Sequence, residues 1–131
     1  MALEWLNHYI DQSGQWSTGQ AMHLESSNDI TFTATGGRDL RIHEMSRSGS
    51  VLLSPQGGEL VGYGDAEVFL TISFADTSKP SQFRSAPLAT PIEVEGVRNL
   101  RLSLLIPIGN PGCTSVQYKA LVNAHCVFER L

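Results

Sequence analysis

Four histidines, His8, His23, His43 and His125, are the side chains best suited to hold a metal or act as a general base. No two of them stand at His-x-His or His-Glu-x-x-His spacing, so no strand or helix face presents a ready pair of ligands. In their alternating runs, His43 beside Glu44 and His125 beside Cys126 point outward, as ordinary surface histidines do. Cys126 falls on the inward side of its run, where a cysteine serves as a small apolar filler. Cys113 follows Pro111-Gly112 and is expected to be exposed. An extended chain between the two cysteines carries them beyond the ~7 Å Cα separation that a disulfide tolerates. Free thiols suit a reducing compartment. Adjacent His125 and Cys126 point to opposite faces and so cannot work as a nucleophile–base pair. Neither Gly-x-Ser-x-Gly nor Ser-x-x-Lys occurs. Gly57-Gly58 and Gly62-x-Gly64 precede no helix that could cradle a phosphate. Glu93 and Glu95 share a strand face, but a glycosidase needs its second carboxylate across a cleft. The expectation is a non-catalytic protein without cofactor or metal.

The elements that would position these residues are almost all strands. Ile30, Phe32 and Ala34 alternate with threonines, Gly36-Gly37 follows, and Leu40 and Ile42 alternate with Arg41 and His43. A Gly-Gly pair between two such runs predicts a hairpin. Ser46-Arg47-Ser48-Gly49-Ser50 reads as a turn, Val51-Leu52-Leu53 as a short strand and Leu60-Val61 as the start of another. Val68, Leu70, Ile72 and Phe74 share one face of a longer strand. Pro80, Pro87 and Pro91 confine the next stretch to a loop with a short edge strand near Phe83. Ile92 and Val94, then Leu100 to Ile106, alternate on either side of Gly96. Val116 to Phe128 keeps period two for longer than the usual five or six residues, which predicts a bulge or bend near 123–126.

The first residues follow a different rhythm. Ala2, Leu3, Trp5, Leu6, Tyr9 and Ile10 recur at helical spacing, with Gly14 as a stop. The expected plan is therefore an amphipathic helix over 1–14 that docks on the core or on a partner, followed by one domain over 20–131. The fold expected is all-β: a single antiparallel sandwich or jelly roll of about eight or nine strands with a short N-terminal helix.

At 131 residues the chain suits one domain. Its 41% hydrophobic and 17% charged content is too apolar for disorder. A formal net charge of −4 gives no footprint for nucleic acid. No run is apolar enough to span a bilayer. No cationic start with an apolar core marks a secretory signal, and with free thiols this favours a cytoplasmic or particle-assembled protein.

The segment Ile92-Glu93-Val94-Glu95-Gly96-Val97-Arg98-Asn99-Leu100-Arg101-Leu102 resembles galactose-binding-like sandwiches of the discoidin and novel putative carbohydrate-binding module families. There a strand, a Gly-Val-x-x-Leu-x-Leu step and a long closing strand come in the same order. The resemblance implies a jelly roll and points to glycan binding. Where that group has a Trp-containing, Asp-rich closing strand, this chain has Asn123-Ala124-His125.

Sugar recognition by a sandwich needs an exposed ring and polar side chains. Trp16, Tyr63 and Phe83, with Asp65, Asp76 and Arg84, are the candidate ligand residues. Leu3, Trp5, Leu6, Tyr9 and Ile10 are the candidate partner interface. The function expected is recognition of a glycan or protein partner, with a homo-oligomer in view. A structural subunit of a phage, virus-like or secretion particle is the alternative. A small hydrolase or metal enzyme is the third reading, without a motif to carry it.

Overall fold

The computed structural model describes residues 2–17, 30–54, 61–64, 67–105 and 115–131. They form seven strands: β1 (Glu4–Ser17), β2 (Thr31–Ser54), β3 (Val61–Gly64), β4 (Glu67–Phe74), β5 (Gln82–Ser85), β6 (Ile92–Leu105) and β7 (Ser115–Arg130). One antiparallel sheet holds all of them in the order β1-β7-β2-β6-β4-β5, with β3 paired to β2. The chain is thus all-β, and no described helix is long and apolar enough to cross a membrane.

The N-terminal helix expected over 1–14 is a strand. The stripe of Leu3, Trp5, Leu6, Tyr9 and Ile10 has helical spacing, but a lone short helix is marginal in water. Pairing with β7 over Glu4–Ser17 instead satisfies the backbone of aromatic and β-branched residues that favour extended conformations. Period two then divides the stripe: Leu6 and Ile10 are buried, whereas Leu3, Trp5 and Tyr9 are exposed. His8 lies on the inward side with Leu6 and Ile10. Those two side chains belong to the same core cluster as the rest of the sheet, so this segment is not a separate appendage.

The Gly36-Gly37 hairpin is also absent. Thr31–Thr33 and Arg38–Ile42 do not pair with each other; both pair with β6, opposite Arg101–Asn99 and Val97–Ile92. The glycines have φ of 84° and 90°, a conformation that serves a wide bulge as well as a tight turn. The bend packs on β6 and the end of β4, where Ala75 N–H donates to the Gly96 carbonyl at 2.9 Å. Asp39 accepts the Gly96 N–H at 3.0 Å.

Beyond this bend β2 keeps β6 on one side as far as Ile42 and gains β7 on the other, from Leu40 to Ser54. The turn expected at Ser46–Ser50 is part of this continuous strand. The bulge expected near 123–126 of β7 lies instead on β2, between Ile42 and Glu44, where the pairing with β6 ends. Its extra residue, His43, switches the buried positions from Leu40 and Ile42 to Met45 and Val51.

The predicted alternations of β4 and β7 are present. Val68, Leu70, Ile72 and Phe74 face inward on the first; Ala120, Val122, Ala124, Cys126 and Phe128 do so on the second. The core is one cluster that joins residues from β1 to β4, and β1 approaches β6 without being its ladder neighbour. The sheet therefore curls over its own apolar face. At the far end of β1 the Tyr118 ring lies over its cross-strand partner Gly14, covering backbone that no side chain would otherwise shield.

Candidate functional site

The outward surface of β1 and β7 is built by register. Trp5 stands opposite Val127, Asn7 opposite His125, Tyr9 opposite Asn123 and Asp11 opposite Leu121. Leu3, Trp5, Tyr9 and Leu121 keep 44%, 54%, 44% and 46% of their surface in solvent. Four residues of strand set the two rings about 13 Å apart along one face. Between and beside them lie amide, carboxylate and imidazole groups. His125 is anchored from β2: its Nε2 is 3.0 Å from Ser46 Oγ and 3.5 Å from Glu44 Oε1.

A charged lattice crosses the same face at one end. Arg41 on β2 donates to Glu93 on β6 through Nε at 3.2 Å and Nη2 at 2.6 Å. Its Nη1 donates to Glu129 on β7 at 2.7 Å. His43 Nε2 lies 3.0 Å from the same Glu129 oxygen. The bulge that places His43 at this point also turns it toward that carboxylate. The outward pairs tie β2, β6 and β7 together. On the inward side Arg130 grips Glu4 of β1 with two bonds, at 2.9 and 3.0 Å.

Glu129 is buried at 7% exposure, yet hydrogen bonds from His43 and then Arg41 hold its carboxyl below the ordinary carboxylate range, against the opposing effect of burial. A carboxyl lowered in this way contributes stability above its unfolded pKa, and that contribution disappears as the pH falls through the folded value. Glu129→Gln should therefore be less stable than the parent near neutrality, and the gap should close on acidification below about pH 5. Urea midpoints measured across a pH series test this, and a gap that does not change with pH contradicts it.

The six candidate ligand residues do not converge. Trp16 sits on β1 and Tyr63 on β3, with side chains outside the described residues, as Asp65 is entirely. Asp76 lies in the turn after β4, where its carboxylate accepts the Ser78 N–H at 3.0 Å and Oγ–H at 2.6 Å, bonds that lower its pKa. That arrangement is a turn device. Phe83 and Arg84 lie on β5, the last strand of the order opposite to β1, and neighbouring strand positions point to opposite faces. Phe83 is 65% exposed, and its ring centroid stands 6.4 Å from that of Phe69. It helps line a pocket of about 430 Å³ with Arg47, Glu67, Phe69 and Ser85, without Arg84 or Asp76. A second pocket, about 470 Å³, is lined by Ser13, Gln15, Gln117, Tyr118 and Lys119, without Trp16.

Of the five candidate interface residues, Leu3, Trp5 and Tyr9 are on the surface, and Leu6 and Ile10 are in the core. Asn7, Leu121, Asn123 and His125 share that surface; of these the sequence marks only His125, as an outward histidine and not as part of an interface. The signal that finds them is strand parity: odd positions of 3–11 and of 121–127 belong to one face once the first segment is read as extended.

Among the described residues no group of three His, Cys, Asp or Glu side chains gathers to hold a metal. Cys126 is buried, and burial pushes its thiol up to about 12, which leaves it protonated and inert. Cys113 and His23 lie outside the described residues. No family model matches the chain, and neither a curated protein nor a solved structure matches it.

Proposed function

We propose that the chain is a β-sandwich recognition module that binds a glycan on the outward face of β1 and β7, without catalysis. The observation that carries this reading is the exposure of Trp5 and Tyr9, at 54% and 44%, on a hydrogen-bonded sheet with Asn7, Asp11, Asn123 and His125 on the same face. The apolar C–H face of a pyranose stacks on an indole or phenol ring. Its hydroxyls bond to amides, carboxylates and imidazoles, which offer both donors and acceptors. Strand backbone holds the rings at a fixed separation, so little order is lost on binding. The resemblance of Ile92–Leu102 to galactose-binding-like sandwiches supports the same reading. The binding face, however, is assigned here from the first strand and not from that segment.

A glycan array probed with the full chain is the test. Binding of one saccharide class is expected, and Trp5→Ala should weaken it at least about tenfold while changing stability by no more than about 0.5 kcal/mol, because the ring is half in solvent. A blank array with folded protein overturns the proposal. So does retention of full affinity by Trp5→Ala.

A further inference from the structure

The two ends of the sheet treat their open edges differently. β5 is only four residues long, with Pro80 before it and Pro87 after it. A short edge bounded by prolines, which lack an N–H, cannot extend a ladder to another chain. β1 runs for 14 residues with neither proline nor lysine. Among the described residues its ladder partner is β7, on one side of the strand. Edges of this length and apolar content are templates for strand addition.

We infer that β1 pairs antiparallel with β1 of a second copy of this chain, about a two-fold axis at Asn7, to form a dimer with one continuous sheet. The strand is self-complementary in that register. On the outward face Trp5 stands opposite Tyr9 of the second copy, Asn7 opposite Asn7 and Leu3 opposite Asp11. On the inward face Leu6 stands opposite His8 and Glu4 opposite Ile10. The axis repeats each match, so two Trp–Tyr pairs flank a central Asn–Asn pair. Cross-strand aromatic pairs and side-chain amide bonds are the contacts that stabilise sheets.

The charges agree with this register. The acidic residues of the strand, Glu4 and Asp11, each meet an apolar residue, so no like charges are opposed. Glu4 is already neutralised by Arg130. Moving the axis one residue, to His8, sets Trp5 against Asp11 and breaks both aromatic pairs. A two-fold contact uses one surface on both copies, so the contact closes on itself at two chains. The inference rests on the edge and its sequence, not on the identity of any ligand.

Light scattering on size-exclusion eluates of the full chain, with sedimentation equilibrium for Kd, gives the test. The parent is expected to be a dimer. Asn7→Lys and Asn7→Glu, each on an exposed position, should keep the parent's circular dichroism spectrum and weaken self-association at least about tenfold, since each sets like charges together at the axis. Mixing the two variants should restore a dimer containing one of each. A parent that stays monomeric at its highest soluble concentration overturns the inference. Dimers of Asn7→Lys as tight as the parent's, or mixed variants that remain monomeric, overturn the register and the inference with it. A monomer that still binds saccharides removes this inference and leaves the glycan reading intact; a dimer with a blank array does the reverse.

Discussion

Gly49→Ala is expected to cost the fold more than about 3 kcal/mol, enough to unfold much of the protein under ordinary conditions. Gly49 lies in the middle of β2 opposite Val122, with φ of +106°, where a residue with a Cβ is strained in any surroundings. Here the surroundings add a collision. A Cβ at this position would overlap the carbonyl oxygen of Leu121 and come within 2.9 Å of the Val122 Cα. Both obstacles are backbone, so no rotamer change relieves them. The only relief is to part β2 from β7, the pairing on which the centre of the sheet depends. Folded domains are stable by only about 5–15 kcal/mol, so this one methyl group consumes a large share. Ser48→Ala and Ser50→Ala, on exposed neighbours in the same strand, should each change stability by less than about 0.5 kcal/mol. Urea unfolding followed by tryptophan fluorescence measures all three. A Gly49→Ala midpoint close to that of the serine variants would show that β2 does not follow β7 at this point.

Phe128→Ala is expected to cost about 3–5 kcal/mol. The ring is 1% exposed and stands where three strands meet, opposite Glu4 of β1 and Ile42 of β2. It tilts against Phe32 with centroids 4.9 Å apart, and Phe32 belongs to the part of β2 that runs along β6. Arg130 also lies over the Phe32 ring, 4.9 Å from its centroid. The two rings thus join the halves of β2 on either side of the Gly36-Gly37 bend. Removing one ring leaves a cavity between halves that cannot close without shifting the bend. The double variant Phe32→Ala/Phe128→Ala should cost less than the two single losses together, by about 0.5–1.5 kcal/mol, because the contact can be lost only once. Leu121→Ala, 46% exposed on the same strand, is the control and should alter stability by no more than about 0.5 kcal/mol. Strict additivity would mean that the rings do not bear on one another.

The candidate binding face was half legible. Trp5, Tyr9 and Leu3 stand out in any reading as large apolar side chains that need a purpose. Helical spacing, however, groups them with Leu6 and Ile10, and strand spacing separates the same five into a surface set and a core set. Helical spacing is the only rhythm those residues show when the segment is read alone. What decides for the strand is β7, whose edge offers backbone partners from Glu4 to Ser17. Trp16, Phe83, Arg84 and Asp76 are candidates because sugar recognition needs an exposed ring beside polar side chains. Residues scattered along the chain meet only if the strands bring their loops together, and β1 and β5 lie at opposite ends of the strand order. The arginine lattice was more accessible, since Arg41 and Glu93 each stand beside inward-facing Ile42 and Ile92 in alternating runs, and those two positions are paired.

Which side chains point inward in β4 and β7 was settled by the sequence itself: Val68 to Phe74 and Ala120 to Cys126 alternate without a break, and a strand with one apolar face can bury it in only one way. The all-β class follows from the same local rhythm. Which strands lie side by side was a tertiary decision. Gly36-Gly37 can close a hairpin or bend a strand with the same positive φ, and it bends because β6 is long enough to pair with the chain on both sides of it. Period two records the face of a residue and not its neighbour, for a backbone N–H is satisfied equally by any adjacent carbonyl. Only burial of the shared core, summed over the whole sheet, selects among those partners.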